Sequence, residues 1–135
     1  MFTALIVEDN LTFRHSLRDV LRERYPLMKF REASDGDEAL QMIKDAPPDL
    51  IFMDIRLPGE SGLEITRRIK QDHPQVPVII LTNHDLAEYR EAAFRYGADF
   101  FVAKGSSTWE EITGFVESVL SKRGLSSPST GCSDC

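Results

Sequence analysis

Five short apolar runs alternate along the chain with five amphipathic stretches. The runs are Thr3–Val7, Lys29–Ala33, Leu50–Asp54, Val76–Thr82 and Phe100–Ala103. The first, third and fourth are almost continuously apolar, as strands covered on both faces should be, whereas KFREA alternates and fits a strand nearer a sheet edge. Connections this short require parallel strands with right-handed crossovers. The pattern therefore predicts a doubly wound α/β fold, a five-stranded parallel sheet with helices on both faces.

The amphipathic stretches carry helix start and stop signals. Polar caps open them and proline or glycine closes them. The predicted helices run from the N-cap Asn10 to Tyr25-Pro26, from Asp35 with Glu38 to Pro47-Pro48, through Leu63, Ile65 and Ile69 to a stop before Pro74, over Leu86–Tyr96 with Gly97 as cap, and from Thr108 with Glu111 in a capping box.

A length of 135 residues suits one compact domain, which we expect over residues 1–123. From Gly124 the sequence reads GLSSPSTGCSDC, which offers almost nothing to bury and predicts a disordered tail or a cut linker over residues 124–135. Cys132 and Cys135 lie in this segment, and a pair of idle thiols in a reducing compartment is favoured over a metal or redox site.

Acidic residues number 22 against 16 basic ones, so the net charge is −6. This charge repels a phosphate backbone and argues against direct nucleic-acid binding by the domain. No apolar run approaches the roughly 20 residues that cross a bilayer, and acids follow the N-terminal MFTALIV too soon for a signal peptide. We therefore expect no membrane association and a cytoplasmic location.

Ligands of such sheets bind beyond the carboxyl ends of the strands, near the point where the strand order reverses. The residues there are Glu8, Asp9, Asp54, Thr82 and Lys104. Three converging carboxylates repel one another unless a cation compensates them. Oxygen ligands without nearby His or Cys favour Mg²⁺ over Zn²⁺.

An Asp carboxylate can attack phosphorus and form an acyl phosphate when the charge on the transferred oxygens is neutralised. Lys104 can supply a positive charge, and the Thr82 hydroxyl can donate a hydrogen bond to a phosphoryl oxygen. Taken singly, each residue has a plainer interpretation as a helix cap or a solvated loop residue. Four functional types at four strand ends on one edge favour a site.

The motifs LIVEDN, IFMDIRLPGESGLE, VIILTN and GADFFVAKG resemble the receiver domains of two-component response regulators, over residues 2 to 122. The resemblance implies a flavodoxin-like strand order, 2-1-3-4-5. It implies that Asp54 accepts a phosphoryl group from a histidine kinase or phosphotransfer protein. It also implies that Glu8, Asp9, Asp54 and the backbone carbonyl of Arg56 hold Mg²⁺, with Asp9 binding more directly than Glu8.

The resemblance further implies that Lys104 contacts the phosphoryl group, that Thr82 reorients toward it, and that Phe101 moves inward in concert. Gly105 and Asn83 depart from the common pattern, which has Pro after the Lys and a small residue after the Thr. The Lys-Gly pair followed by SSTWEEI is more similar to receivers of the NarL/LuxR type. Arg56 and His84 occupy positions that in this family tune the lifetime of the phosphorylated form, and surface solvation is an equal interpretation of both.

The implied function is a phosphorelay switch, not an enzyme apart from slow autodephosphorylation, that regulates transcription through a DNA-binding domain outside this chain. A stand-alone receiver acting by protein–protein contact is the alternative output, and a homodimer formed on phosphorylation is a further expectation. A haloacid-dehalogenase-like phosphatase needs an acid where Arg56 stands. A flavodoxin-like cofactor binder is disfavoured because VEDNLTF carries acids in place of a glycine-rich phosphate loop. A degenerate receiver that serves only as an interaction module is disfavoured because the acidic site is complete.

Overall fold

The computed structural model of the chain describes residues 2–83, 86–105 and 107–122. Strands and helices alternate strictly along it. The elements are β1 (Thr3–Val7), α1 (Leu11–Arg24), β2 (Lys29–Ala33), α2 (Gly36–Asp45), β3 (Leu50–Asp54), α3 (Gly62–Asp72), β4 (Val78–Thr82), α4 (Ala87–Arg95), β5 (Phe100–Ala103) and α5 (Trp109–Lys122). The predicted tail lies outside the described residues, as do Cys132 and Cys135.

All five strands form one parallel sheet in the order β2-β1-β3-β4-β5. The expected order is therefore confirmed, and KFREA forms the edge strand β2. Strand β4 begins at Val78, two residues later than predicted. Pro77 has no N–H to donate to a neighbouring strand, and the N–H of Val76 already donates to the carbonyl of His73 at 3.1 Å in the turn after α3.

Two apolar cores cover the two faces of the sheet. One contains side chains of α1 and α5, among them Leu17, Leu21, Ile112 and Val116, packed on Phe52 of β3 and its neighbours. The other contains side chains of α2, α3 and α4 packed on alternate residues of the same strands. Every residue of β3 and β4 is buried, which explains why these runs are almost continuously apolar.

The helix caps follow the predicted chemistry at most ends. The side chain of Asn10 accepts the N–H of Phe13 at 3.0 Å. Thr108 and Glu111 exchange reciprocal bonds, in which the Glu111 carboxylate accepts the Thr108 N–H at 2.8 Å and the Thr108 hydroxyl accepts the Glu111 N–H at 3.2 Å. Helix α4 starts without a side-chain cap, at Leu86.

The strand order reverses between β1 and β3, because the chain moves outward from β1 first to β2 and then, on the other side, to β3. Loops leaving these two neighbours diverge and leave a crevice at their carboxyl ends. Within the described parts of the chain, every helix is too short or too polar to cross a lipid bilayer.

Candidate functional site

The carboxyl ends of β1, β3, β4 and β5 bring the five predicted side chains to one edge of the sheet. Glu8 and Asp9 follow β1, Asp54 and Thr82 end β3 and β4, and Lys104 follows β5. The register places Asp54 beside Leu81 and Thr82 beside Ala103. The N–H of Lys104 donates to the carbonyl of Thr82 at 2.7 Å, which extends the pairing of the last two strands into the site.

The three carboxylates form one compact cluster. Glu8, Asp9 and Asp54 each offer an oxygen atom within 4.8 Å of the others. Glu8 and Asp54 are buried, with 1% and 4% of their surface exposed, whereas Asp9 lies at the solvent boundary. A cluster of hard oxygen donors with one exposed member suits a divalent cation that keeps part of its water shell, as Mg²⁺ does.

Lys104 lies against this cluster. Its ammonium forms an ion pair with Glu8 and lies 3.4 Å from Oδ1 of Asp54. Only 7% of the Lys104 side chain is exposed. A single buried cation thus contacts two of the three carboxylates, and its charge compensates only part of theirs.

Asp54 has a strongly perturbed acidity. Burial, followed by the negative charge of Glu8, raises the pKa of Asp54 from 3.8 to about 7, although Lys104 acts in the opposite direction. A second cation beside the cluster would favour the carboxylate form of Asp54. The donor set therefore fits Mg²⁺ both in ligand type and in charge.

Glu8 is held in place by its neighbours as well as by Lys104. Its Oε2 accepts the N–H of Asn10 at 3.0 Å. The guanidinium of Arg14 donates to the backbone carbonyl of Glu8 at 2.8 Å and to Glu32 of β2 at 2.8 Å. Sequence reasoning missed Arg14, because a basic residue in the first turns of an amphipathic helix resembles ordinary surface charge.

The loop between β3 and α3 begins beside β4 and ends in contact with the residue that follows Asp54. The N–H of Ile55 donates to Leu81 at 3.2 Å, and the N–H of Gly62 donates to Ile55 at 2.8 Å. Arg56 is exposed in this loop, two residues beyond Asp54. The role of its carbonyl as a metal ligand stays a prediction.

The two predicted switch residues are both buried. Thr82 ends β4 with none of its surface exposed, so it belongs to the strand and does not cap α4. Phe101 is 6% exposed and faces the core of α2, α3 and α4. The Arg90 guanidinium lies 4.6 Å from the centroid of its ring. Phe100 turns to the opposite face and stacks on Phe115 at 4.5 Å.

Two residues in the loops beside the site depart from the common pattern of receiver domains. Asn83 and Gly105 are both exposed beside the site. Their effect on loop geometry and site access stays a prediction. His84 lies outside the described residues.

Residues 4–114 match the family model described as the response regulator receiver domain. The transcriptional activator protein ExaE of Pseudomonas putida is 38% identical over 103 residues, which are 76% of this chain and 48% of that protein. The chemotaxis protein CheY of Halobacterium salinarum is 35% identical over 100 residues, which are 74% of this chain and 82% of that protein. The chain thus spans about half the length, or less, of several curated relatives that it matches.

Solved structures show the same similarity. A two-component response regulator of the LuxR family from Aurantimonas sp. SI85-9A1 superposes with a TM-score of 0.80 at 31% identity, covering 93% of this chain and 89% of that one. The response regulator protein TrrA from Thermotoga maritima, solved in complex with Mg²⁺ and BeF, gives a TM-score of 0.79 at 31% identity, covering 89% and 100% of the two chains.

Proposed function

The chain belongs to the family of response regulator receiver domains, and on that premise we propose that it accepts a phosphoryl group on Asp54 from a histidine kinase or phosphotransfer protein. The observation that supports this most directly is the buried Asp54 carboxyl beside Glu8, Asp9 and Lys104 at one sheet edge. Burial limits the access of water to the Asp54 carboxyl, and the end of β3 fixes the position of this group.

The transfer forms a bond between an Asp54 carboxylate oxygen and phosphorus and breaks the bond between phosphorus and the donor nitrogen. The leaving imidazole then takes up a proton. Lys104 stabilises the charge on the transferred oxygens, since its ammonium already lies 3.4 Å from Oδ1 of Asp54. The Thr82 hydroxyl donates to a phosphoryl oxygen from the neighbouring strand end.

Glu8, Asp9, Asp54 and the backbone carbonyl of Arg56 would hold Mg²⁺ in this site. When bound, the ion neutralises negative charge shared by the carboxylates and the phosphoryl oxygens. Asp9 is the exposed member of the set and is therefore open to direct contact with an incoming cation, whereas Glu8 is committed to Lys104 and Asn10. This arrangement supports the more direct role assigned to Asp9.

Phosphorylation would bias an output face made of α4, β5 and α5 between two states, through Thr82 and Phe101. The output acts through a DNA-binding domain outside this chain, in keeping with the match to only 48% of ExaE and with the similarity to a response regulator of the LuxR family. A stand-alone receiver is the second candidate, favoured by the 82% coverage of the CheY relative.

We further propose a cytoplasmic location, no catalytic turnover beyond slow autodephosphorylation, and a homodimer that forms on phosphorylation.

Intact-mass measurement after incubation with acetyl phosphate and Mg²⁺ tests the proposal. Wild-type protein should gain the mass of one phosphoryl group, and the gain should vanish with EDTA or in Asp54→Asn. Asp72→Asn, which changes an exposed carboxylate at the end of α3, should react like wild type. A wild-type protein that stays unmodified while a known receiver reacts in the same mixture would contradict the proposal.

A further inference from the structure

The Lys104 ammonium lies between the acidic cluster and an aromatic ring. Its ammonium lies 4.5 Å from the centroid of Phe13, a residue in the first turn of α1. The carboxylates of Glu8 and Asp54 occupy the other side. Because a cation above a ring face is attracted by the ring quadrupole, this contact holds Lys104 in addition to the ion pairs.

The ring of Phe13 is itself held in place by Trp109, the first residue of α5. The two ring centroids are 6.0 Å apart at an interplanar angle of 26°. Trp109 is the single tryptophan of the chain and is 38% exposed. The capping box of Thr108 and Glu111 fixes the turn from which Trp109 extends. Contacts thus lead from the acidic site through Lys104 and Phe13 to Trp109 at the start of α5.

The two sides of Lys104 respond differently to a change of charge in the site. The attraction of the carboxylates for the ammonium would weaken once they share a bound cation. The ring carries no net charge and keeps its attraction in every state of the site. Phe13 can therefore hold Lys104 close to Asp54 when the carboxylates no longer do so.

We propose that Phe13 is a positioning residue for phosphoryl transfer, which keeps the Lys104 ammonium directed at the phosphoryl oxygens and is braced by Trp109. This role rests on the proposed function of Asp54 and adds a residue that acts only through Lys104. An aliphatic side chain of similar size fills the same space but offers no ring face to the cation.

The rate of Asp54 phosphorylation by acetyl phosphate, followed by intact mass at a series of donor concentrations, tests the role in Phe13→Leu and Phe13→Tyr. Phe13→Leu should lower the second-order rate constant roughly threefold to tenfold, the size expected for one partly buried cation–π contact. Phe13→Tyr should stay within about twofold of wild type, since it retains the ring. Trp109→Leu should cause a smaller loss in the same direction.

The same substitution in a Lys104→Gln background separates positioning from a general structural effect. If Phe13 acts through Lys104, then Phe13→Leu should cause no further loss once the ammonium is gone. An equal further loss in that background, or a Phe13→Leu protein that reacts like wild type, would overturn the proposal. Urea unfolding of each variant identifies any loss that comes from unfolded protein.

The outcome for wild type distinguishes this inference from the function on which it rests. A wild-type protein that gains no phosphoryl group overturns both. A wild-type protein that reacts, with Phe13→Leu and Phe13→Tyr reduced alike, overturns only the role of the ring.

Discussion

Gly62 packs directly on the backbone of Asp54. A Cβ atom added to Gly62 would lie 1.9 Å from the carbonyl oxygen of Asp54 and 2.8 Å from its carbonyl carbon. Both atoms belong to the central strand that carries the proposed phosphoacceptor, so they cannot move without displacing Asp54. The start of α3 is therefore tied to the site by a contact that only glycine allows.

Gly62→Ala should lower the free energy of unfolding by about 3 kcal/mol, at the upper end for overpacking, because the obstacle is backbone. Gly114→Ala is the matched control, since a Cβ there meets nothing within 4 Å in the exposed face of α5. The control should gain about 0.5–1 kcal/mol from helix propensity. Urea unfolding measures both, and equal stabilities for the two variants would contradict the contact.

Asp54 gives the metal-free protein a pH-dependent stability. Its pKa is raised from 3.8 to about 7, first by burial and then by Glu8. Between these values the folded protein keeps a proton that the unfolded chain has released. The contribution of Asp54 to stability therefore falls as pH rises from about 4 to about 7 and is level above that range.

Asp54→Asn should remove this pH dependence and stabilise the protein at pH 8 by about 2 kcal/mol, because the buried negative charge at position 54 is then absent. Urea midpoints in EDTA at a series of pH values provide the measurement. Asp72→Asn is the exposed control and should follow the wild-type curve. A wild-type difference curve against Asp54→Asn that stays flat from pH 5 to 8 would exclude the raised pKa.

The strand ends that form the site could be predicted from the sequence, but the packing contacts that position its side chains could not. Apolar runs and cap residues are local signals, and a parallel sheet brings strand ends to one edge, so Asp54 and Lys104 could be placed together in advance. The contact of Phe13 with Lys104 depends on where α1 lies relative to the start of α5 and to the loop after β5. No local pattern distinguishes that ring from any other apolar residue of an amphipathic helix, and the same holds for Gly62.

Arg14 is expected to support metal binding through the backbone of Glu8. Arg14 and Arg18 both pair with Glu32, at 2.8 and 2.9 Å, but only Arg14 also donates to the Glu8 carbonyl. Burial would raise the pKa of Glu32, yet the hydrogen bonds from Arg18 and Arg14 hold it below its ordinary value. Both arginines therefore contribute to the α1–β2 contact.

Arg14→Gln should weaken Mg²⁺ binding roughly threefold to tenfold, the effect of about one lost hydrogen bond to the site backbone. Arg18→Gln is the matched control, because it removes a Glu32 partner without touching Glu8, and its Mg²⁺ affinity should equal that of wild type. Isothermal titration calorimetry reports both affinities. Equal losses in the two variants would assign the effect to Glu32 and not to the Glu8 carbonyl.

Magnesium should stabilise the folded protein by binding to Glu8, Asp9 and Asp54. A ligand at ten times its dissociation constant adds about 1.4 kcal/mol to the free energy of unfolding. Asp9→Asn should abolish most of this gain and leave the metal-free stability close to wild type, since Asp9 is exposed and lies outside the strands. The gain should also shrink below pH 6, because protons compete with the metal for Asp54. Urea unfolding with Mg²⁺ or EDTA at pH 8 and pH 5.5 measures both effects, and a gain that Asp9→Asn retains in full would place the cation elsewhere.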